Sequence, residues 1–269
     1  MSTATAPMEI GTVTLTVRDL TRSADFYARA LGLEKLHADG TEAVMGAGPR
    51  ALVRLIADPA ARERSPREAG LFHTAILLPD RAALGAWFHH AINTRLPVQG
   101  ASDHKVSEAI YFADPEGNGI EIYVDRPRSQ WTKPDGTIQM GTDPLDIENL
   151  AATANGPWQG APEGTTVGHV HLQVGDVKQA EAFYNGTLGF PITAHYPGAA
   201  FYGAGGYHHH FATNVWNSRG AGPRTPSTGL TAVEILADAA SAAAIAAKAG
   251  RTTDLTDPWG TRIIVTEKV

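Results

Sequence analysis

The stretch "GTVTLTVRDLTRSADFYARALGL" at residues 11–33 returns as "GHVHLQVGDVKQAEAFYNGTLGF" at residues 168–190, with the aspartate, the Phe-Tyr pair and the Leu-Gly at the same offsets. Similarity at so long a spacing marks a duplicated structural unit. Each copy opens with apolar residues at period two, the mark of a half-buried strand. Asp19 or Asp176 then starts a segment with apolar residues at helical spacing, and Gly32 or Gly189 ends it. Weaker copies begin at "GLFHTAILLPDRAALGAWFHHAI" (70–92) and "GLTAVEILADAASAAAIAAKAG" (229–250). These two close alike, in "DPEGNGIEIY" (114–123) and "DPWGTRIIVT" (257–266), a turn feeding a last strand. The chain therefore predicts an α+β protein of four βαβββ modules, the last shortened by about a hairpin.

Between the second and third modules lies a Pro-, Gly-, Asp- and Trp-rich connector. The linear organisation is thus 9–125 as a first pair of modules, 126–166 as the connector and 167–269 as a second pair. At 269 residues, 43% hydrophobic and 19% charged, the chain has material for two domains with cores of their own. A net charge of -6 without basic clusters offers no footprint for nucleic acid or an anionic membrane, so a small-molecule ligand is expected. No stretch approaches the roughly 20 apolar residues of a membrane span, the first residues lack a secretory pattern, and a cytoplasmic location is expected. The absence of cysteine excludes disulfides, thiolate metal sites and cysteine nucleophiles. A homo-oligomer is compatible with all of this.

The paired motifs "FY…LG" and "DPEGNGIEIY" within βαβββ repeats resemble the vicinal oxygen chelate superfamily of glyoxalases, bleomycin resistance proteins and dioxygenases. Two longer stretches, "SDHKVSEAIYFADPEGNGIEIY" and "GGYHHHFATNVW", resemble two-domain catechol 2,3-dioxygenases. The resemblance implies curved-sheet domains in which two modules surround a divalent metal. It also implies ligands at two recurring places, the start of a module's first strand and the middle of its last.

Read at those places, module three offers His169 and module two offers His73 and Glu121. Module one has Thr12 and a residue near Arg54, and module four has Thr231 or Ala232 and Ile264. His73, Glu121 and His169 would form a two-histidine, one-carboxylate triad suited to non-haem Fe(II), with Mn(II) also compatible. This set requires modules 70–124 and 167–216 to share one cup. Pairing modules one and two instead would set Thr12 opposite His73 and Glu121 and strand His169. His171, two residues on and on the same strand face, is the alternative ligand if the register differs.

The dioxygenase resemblance implies that Fe(II) and O2 open a catechol or substituted catechol beside its hydroxyls, giving a muconic semialdehyde-type product. It places a catalytic acid/base histidine in "HHHFA", where His209 matches best. Strand alternation leaves two arrangements open: His209 faces the metal, or His208 and His210 do. Tyr111 matches a tyrosine that hydrogen-bonds substrate, against the plainer reading of a core aromatic. His104 matches a loop histidine that touches substrate, against that of an exposed loop residue. His37, His89, His90 and His195 match no motif position and read as surface or packing residues. Two other functions fit the same fold: a glyoxalase-like isomerase or lyase, and a non-enzymatic small-molecule binding protein. The first would want a second carboxylate on module three's last strand, where this chain has histidines.

Overall fold

The computed structural model describes residues 5–131, 138–250 and 252–268; residues 132–137 of the connector lie outside them. Module one comprises β1 (Met8–Val17), α1 (Leu20–Leu31), β2 (Glu34–Ala38), β3 (Glu42–Ala47) and β4 (Arg50–Ala57). Module two comprises β5 (Gly70–Leu77), α2 (Arg81–Asn93), β6 (Gly100–Asp103), β7 (Ser107–Ala113) and β8 (Gly119–Asp125). The connector contributes a short strand, β9 (Asp143–Pro144), and one helical turn, α3 (Ile147–Ala151). Module three follows as β10 (Thr166–Gln173), α4 (Val177–Glu181), β11 (Ile192–Tyr196), β12 (Ala199–Tyr202) and β13 (Phe211–Asn214). Module four is β14 (Gly229–Ala237), α5 (Ala239–Lys248), β15 (Asp254–Thr256) and β16 (Arg262–Glu267), one strand short of the others.

The repeated aspartate has the same local task in every module. Asp19, Asp80, Asp176 and Asp238 each accept a hydrogen bond from the backbone N–H three residues on, capping the free donors of the helix that follows. Gly32 closes α1 in the left-handed conformation at φ 65°, which a side chain would oppose. The tyrosine of each Phe-Tyr pair reaches the aspartate of the following module's turn: Tyr27 donates to Asp114 at 3.3 Å and Tyr184 to Asp257 at 2.9 Å. Those aspartates also cap their own turns, through the N–H groups of Glu116 and Asn118, and of Trp259 and Thr261. The two sequence signatures are therefore halves of one contact.

Hydrogen bonding groups the modules across the chain's linear division. One sheet has the order β15-β16-β14-β1-β4-β3-β2 and the other β11-β12-β13-β10-β5-β8-β7-β6-β9. Modules one and four thus share the first sheet, and modules two and three the second. Within each module the first and last strands run parallel; between modules the first strands meet antiparallel, β1 with β14 and β10 with β5. Helices of modules one and two pack together on the other axis, with Trp87 of α2 donating to the Ala30 carbonyl of α1 at 2.8 Å. Pairs that are separate in the sheets are in this way joined through the helical layer, around one buried apolar core.

Candidate metal centre and its cavity

Three adjacent strands at the centre of the nine-stranded sheet bring the polar cluster together. In the register of β10, β5 and β8, Ala75 lies directly between His169 and Glu121, and His73 lies two residues before it on the same face. The small, fully buried Ala75 leaves the space above it to its neighbours. Into that space point His73 Nε2, 2.9 Å from Glu121 Oε2, and His169 Nε2, 3.3 Å from the same oxygen. All three residues are buried, and one donor atom from each lies within 4.8 Å of the others. Among the described residues this is the one such group able to hold a metal ion.

The donors fit a divalent cation. Burial lowers the His169 pKa to about 4 even though the neighbouring carboxylate pulls it upward, so the imidazole is neutral near pH 7. His73 Nε2 is buried and close to the carboxylate yet makes no hydrogen bond, which leaves a lone pair aimed at the centre of the cluster. No lysine or arginine is among the described residues lining the cavity, so the charge of Glu121 has no fixed cationic partner there. Burial opposes that charge while His169 and His73 hold the Glu121 carboxyl well below its usual range, so it stands ready as an anionic donor for a cation. His171 also points into the cavity, but its Nε2 accepts from the Asn214 amide at 2.9 Å, which makes it part of the wall.

The cavity above the cluster measures about 1060 Å³. One side is aromatic: Phe72 and His171 each lie 5.5 Å, ring to ring, from Trp216, which is 46% exposed at the mouth, and Phe201 continues the wall to His209. The other side carries Tyr111, directly across β7 and β8 from Glu121. Burial and the Glu121 charge hold the Tyr111 phenol well above its usual pKa, so it stays a proton donor. Its hydroxyl lies 2.5 Å from His104 Nε2, while His104 Nδ1 lies 2.7 Å from the Gly141 carbonyl. With Nδ1–H donating to that carbonyl, Nε2 accepts from Tyr111. His104 is thus a partly buried clamp between the connector and the site, and Ile138 to Thr142 of the connector cover the cavity.

The histidine run departs from the strand expected of it. β13 begins only at Phe211, so His208, His209 and His210 lie in irregular backbone where strict alternation does not apply. All three are buried, but only His209 lines the cavity, with its ring 4.1 Å from that of His169. His208 does not point away from it, as alternation would require: its Nδ1 lies 2.8 Å from His209 Nδ1. Asp125, Phe72, Trp216 and the connector residues carried no role in the sequence reading, although Phe72 and Trp216 lie within repeated or family-like stretches. For Asp125 the available signal was that it shares strand parity with Glu121.

Comparison with known proteins gives the same frame. The Glyoxalase/Bleomycin resistance protein/Dioxygenase superfamily profile matches residues 9–122 and 166–265, and the chain belongs to that family. Within it, the chain is 44% identical over 228 residues to a catechol-2,3-dioxygenase of Bacillus subtilis (strain 168), covering 82% of this chain and 80% of the relative. Among solved structures, a putative dioxygenase from Bacillus subtilis subsp. subtilis str. 168 superposes at a TM-score of 0.64 with 13% identity, over 97% of this chain and 86% of the other. A glyoxalase I mutant from Zea mays does so at 0.60 with 16% identity, over 97% and 94%. At such identities these two structures speak to the fold alone.

Proposed function

We propose that this chain is an extradiol ring-cleaving dioxygenase that uses Fe(II) and O2 to open catechol or a substituted catechol to a muconic semialdehyde-type product. The observation that carries the reading is the buried His73, Glu121 and His169 cluster at the floor of an aromatic-walled cavity. The 44% identity to a catechol-2,3-dioxygenase supports it. In this reading modules 70–124 and 167–216 form the catalytic unit, and His73, Glu121 and His169 hold the metal.

Bound there, Fe(II) would lower the pKa of a coordinated hydroxyl and conduct electrons from the diol to dioxygen. The chain's own groups do the rest. Phe72 and Phe201 stack beside the diol ring and shed water from it. His209, held neutral by burial, takes a proton from one hydroxyl and returns it to the product side. Tyr111, whose one proton is held by His104 Nε2, accepts a hydrogen bond from a substrate hydroxyl at its phenol oxygen.

The test is anaerobic loading with Fe(II), then addition of catechol and a few alkylcatechols in air. A yellow semialdehyde with stoichiometric oxygen uptake is expected; bound iron with no uptake for any diol would sink the reading. In the same assay His209→Ala is expected to keep its iron and lose turnover roughly 10²-fold or more, as general acid–base losses do. Iron loss in that variant would make His209 a ligand instead.

Substrate charge gives a further expectation. With Glu121 inside and no lysine or arginine on the described wall, a carboxylated catechol must lose water from its charge without a partner. Its kcat/KM is expected to fall about 10-fold or more below that of the matching alkylcatechol. Each methylene placed against Phe72, Phe201 and Trp216 should instead raise kcat/KM by up to about fourfold, at about 0.8 kcal/mol per buried CH2. Equal rates for charged and uncharged substrates would contradict this picture of the wall.

A further inference from the structure

Behind His209 lies a polar layer with no part in the proposed chemistry. Asp125 ends β8, four residues after Glu121 and on the same face, so the strand that bears the carboxylate ligand also bears this second acid. Its Oδ1 lies 2.8 Å from His208 Nε2 and accepts from the Tyr207 hydroxyl at 3.1 Å. Tyr207 in turn lies 2.7 Å from the hydroxyl of Tyr123, which crosses β10 over Gly168, where a Cβ would come within 1.8 Å of it. His208 is fully buried, set against the rings of Tyr207 and Trp131 at 4.1 and 5.2 Å. Its other nitrogen, Nδ1, is the one 2.8 Å from His209 Nδ1.

This chain of contacts has a direction. An ionised carboxylate only accepts, so the proton on His208 sits on Nε2. A neutral imidazole then offers a lone pair at Nδ1, and the hydrogen bond to His209 requires a proton on His209 Nδ1. That leaves a lone pair on His209 Nε2, which makes no hydrogen bond within the described residues and belongs to a ring on the cavity wall. The opposite tautomer would present an N–H to the diol, and the residue would begin the reaction as an acid with no proton to take.

We propose that Asp125, acting through His208, is a positioning residue that holds His209 in the Nδ1–H tautomer with its Nε2 lone pair toward the cavity. The catalytic consequence rests on the ring-cleavage reading; the tautomer does not. Reach explains the need for an intermediary, because the carboxylate stands one imidazole away from His209 and its charge stays outside the cavity.

The experiment is a two-bond nitrogen–proton correlation spectrum of metal-free protein labelled with 15N in its histidine rings, with the His209 signals assigned by their loss in His209→Ala. Wild type is expected to show His209 protonated on Nδ1 and His208 on Nε2. In Asp125→Asn the amide oxygen can still accept both bonds, but the charge that fixes the proton on His208 Nε2 is gone and the amide NH2 can face the ring instead, so both imidazoles are expected to become mixtures of tautomers. His208→Phe keeps a ring in place but removes the acceptor, and it serves equally if the asparagine variant fails to fold. Each variant should bind iron as wild type does, keep KM for catechol within about 3-fold and lose about 10- to 10²-fold in kcat, part of a general base's contribution. A wild-type His209 protonated on Nε2, a doubly protonated His208, or tautomers unmoved by both substitutions would overturn the relay. If iron-loaded wild type cleaves no diol, the ring-cleavage reading falls while the spectra still decide the relay.

Discussion

Alanine in place of Glu121, His73 or His169 is expected to abolish stoichiometric iron binding and lower ring cleavage by a factor on the order of 10³ or more. That size follows because a metal's several kcal/mol of charge stabilisation disappear at once. Thr12→Ala is the matched control. Thr12 stands at the corresponding place on β1, in the other sheet, where its N–H binds the Glu234 carboxylate at 3.1 Å, and metal content should not change. A loss of iron in Thr12→Ala with retention in His169→Ala would move the site to another pairing of modules.

Stability separates a lost ligand from a damaged fold. Burial opposes the Glu121 charge, but His169 and His73 hold its carboxyl well below the usual range, so Glu121→Ala should cost the metal-free form some stability without unfolding it. Wild type should gain about 2.7 kcal/mol when free metal reaches 100 times its dissociation constant, and the variant should gain nothing. Equal metal-induced shifts in Tm for the two proteins would rule Glu121 out as a ligand.

The candidate site was legible in the sequence to the extent that repetition displays it. His73, Glu121 and His169 each fall where a module's strand order fixes which face a side chain takes, and Ala75 between them follows from strand register. The helix caps were readable for the same reason: the aspartate acts on a backbone only three residues away. Features that depend on meetings far along the chain were not. Asp125 meets His208 across 83 residues and His104 meets Gly141 across 37, and neither has a local pattern. The histidine run was misread where periodicity was assumed beyond its range, since the turn before β13 breaks alternation and lets neighbouring imidazoles bond to each other.

Burying so many imidazoles around one cavity has a consequence for the metal-free protein, which is expected to unfold steeply as the pH falls from about 6.5. Burial holds His169 at about 4 and keeps His171, His209 and His210 well below the usual histidine range, with the charges of neighbouring histidines adding to the effect. Between the folded and unfolded values the unfolded chain binds more protons, so stability is present above the unfolded pKa of about 6.5 and is lost as the pH drops toward the folded values. Each such site contributes about 1.4 kcal/mol per pH unit while it remains neutral in the fold. Four together approach a slope on the order of 5 kcal/mol per unit, comparable with the whole net stability of an ordinary domain. Carboxylates with depressed values, such as Asp103 and Glu68, lose their stabilisation only below about 4 and fall outside this window. Urea midpoints of metal-free protein measured from pH 8 to 5 should therefore be level at the top and collapse below 6.5. His210→Phe, which removes the one member of the set away from the cavity wall, should flatten the slope by about one proton. Bound metal should not flatten it, because a coordinated His169 takes up no proton in the fold while the unfolded chain still does. A midpoint unchanged between pH 7 and 5 would mean that these histidines find water or a proton in the fold and are not held neutral by it.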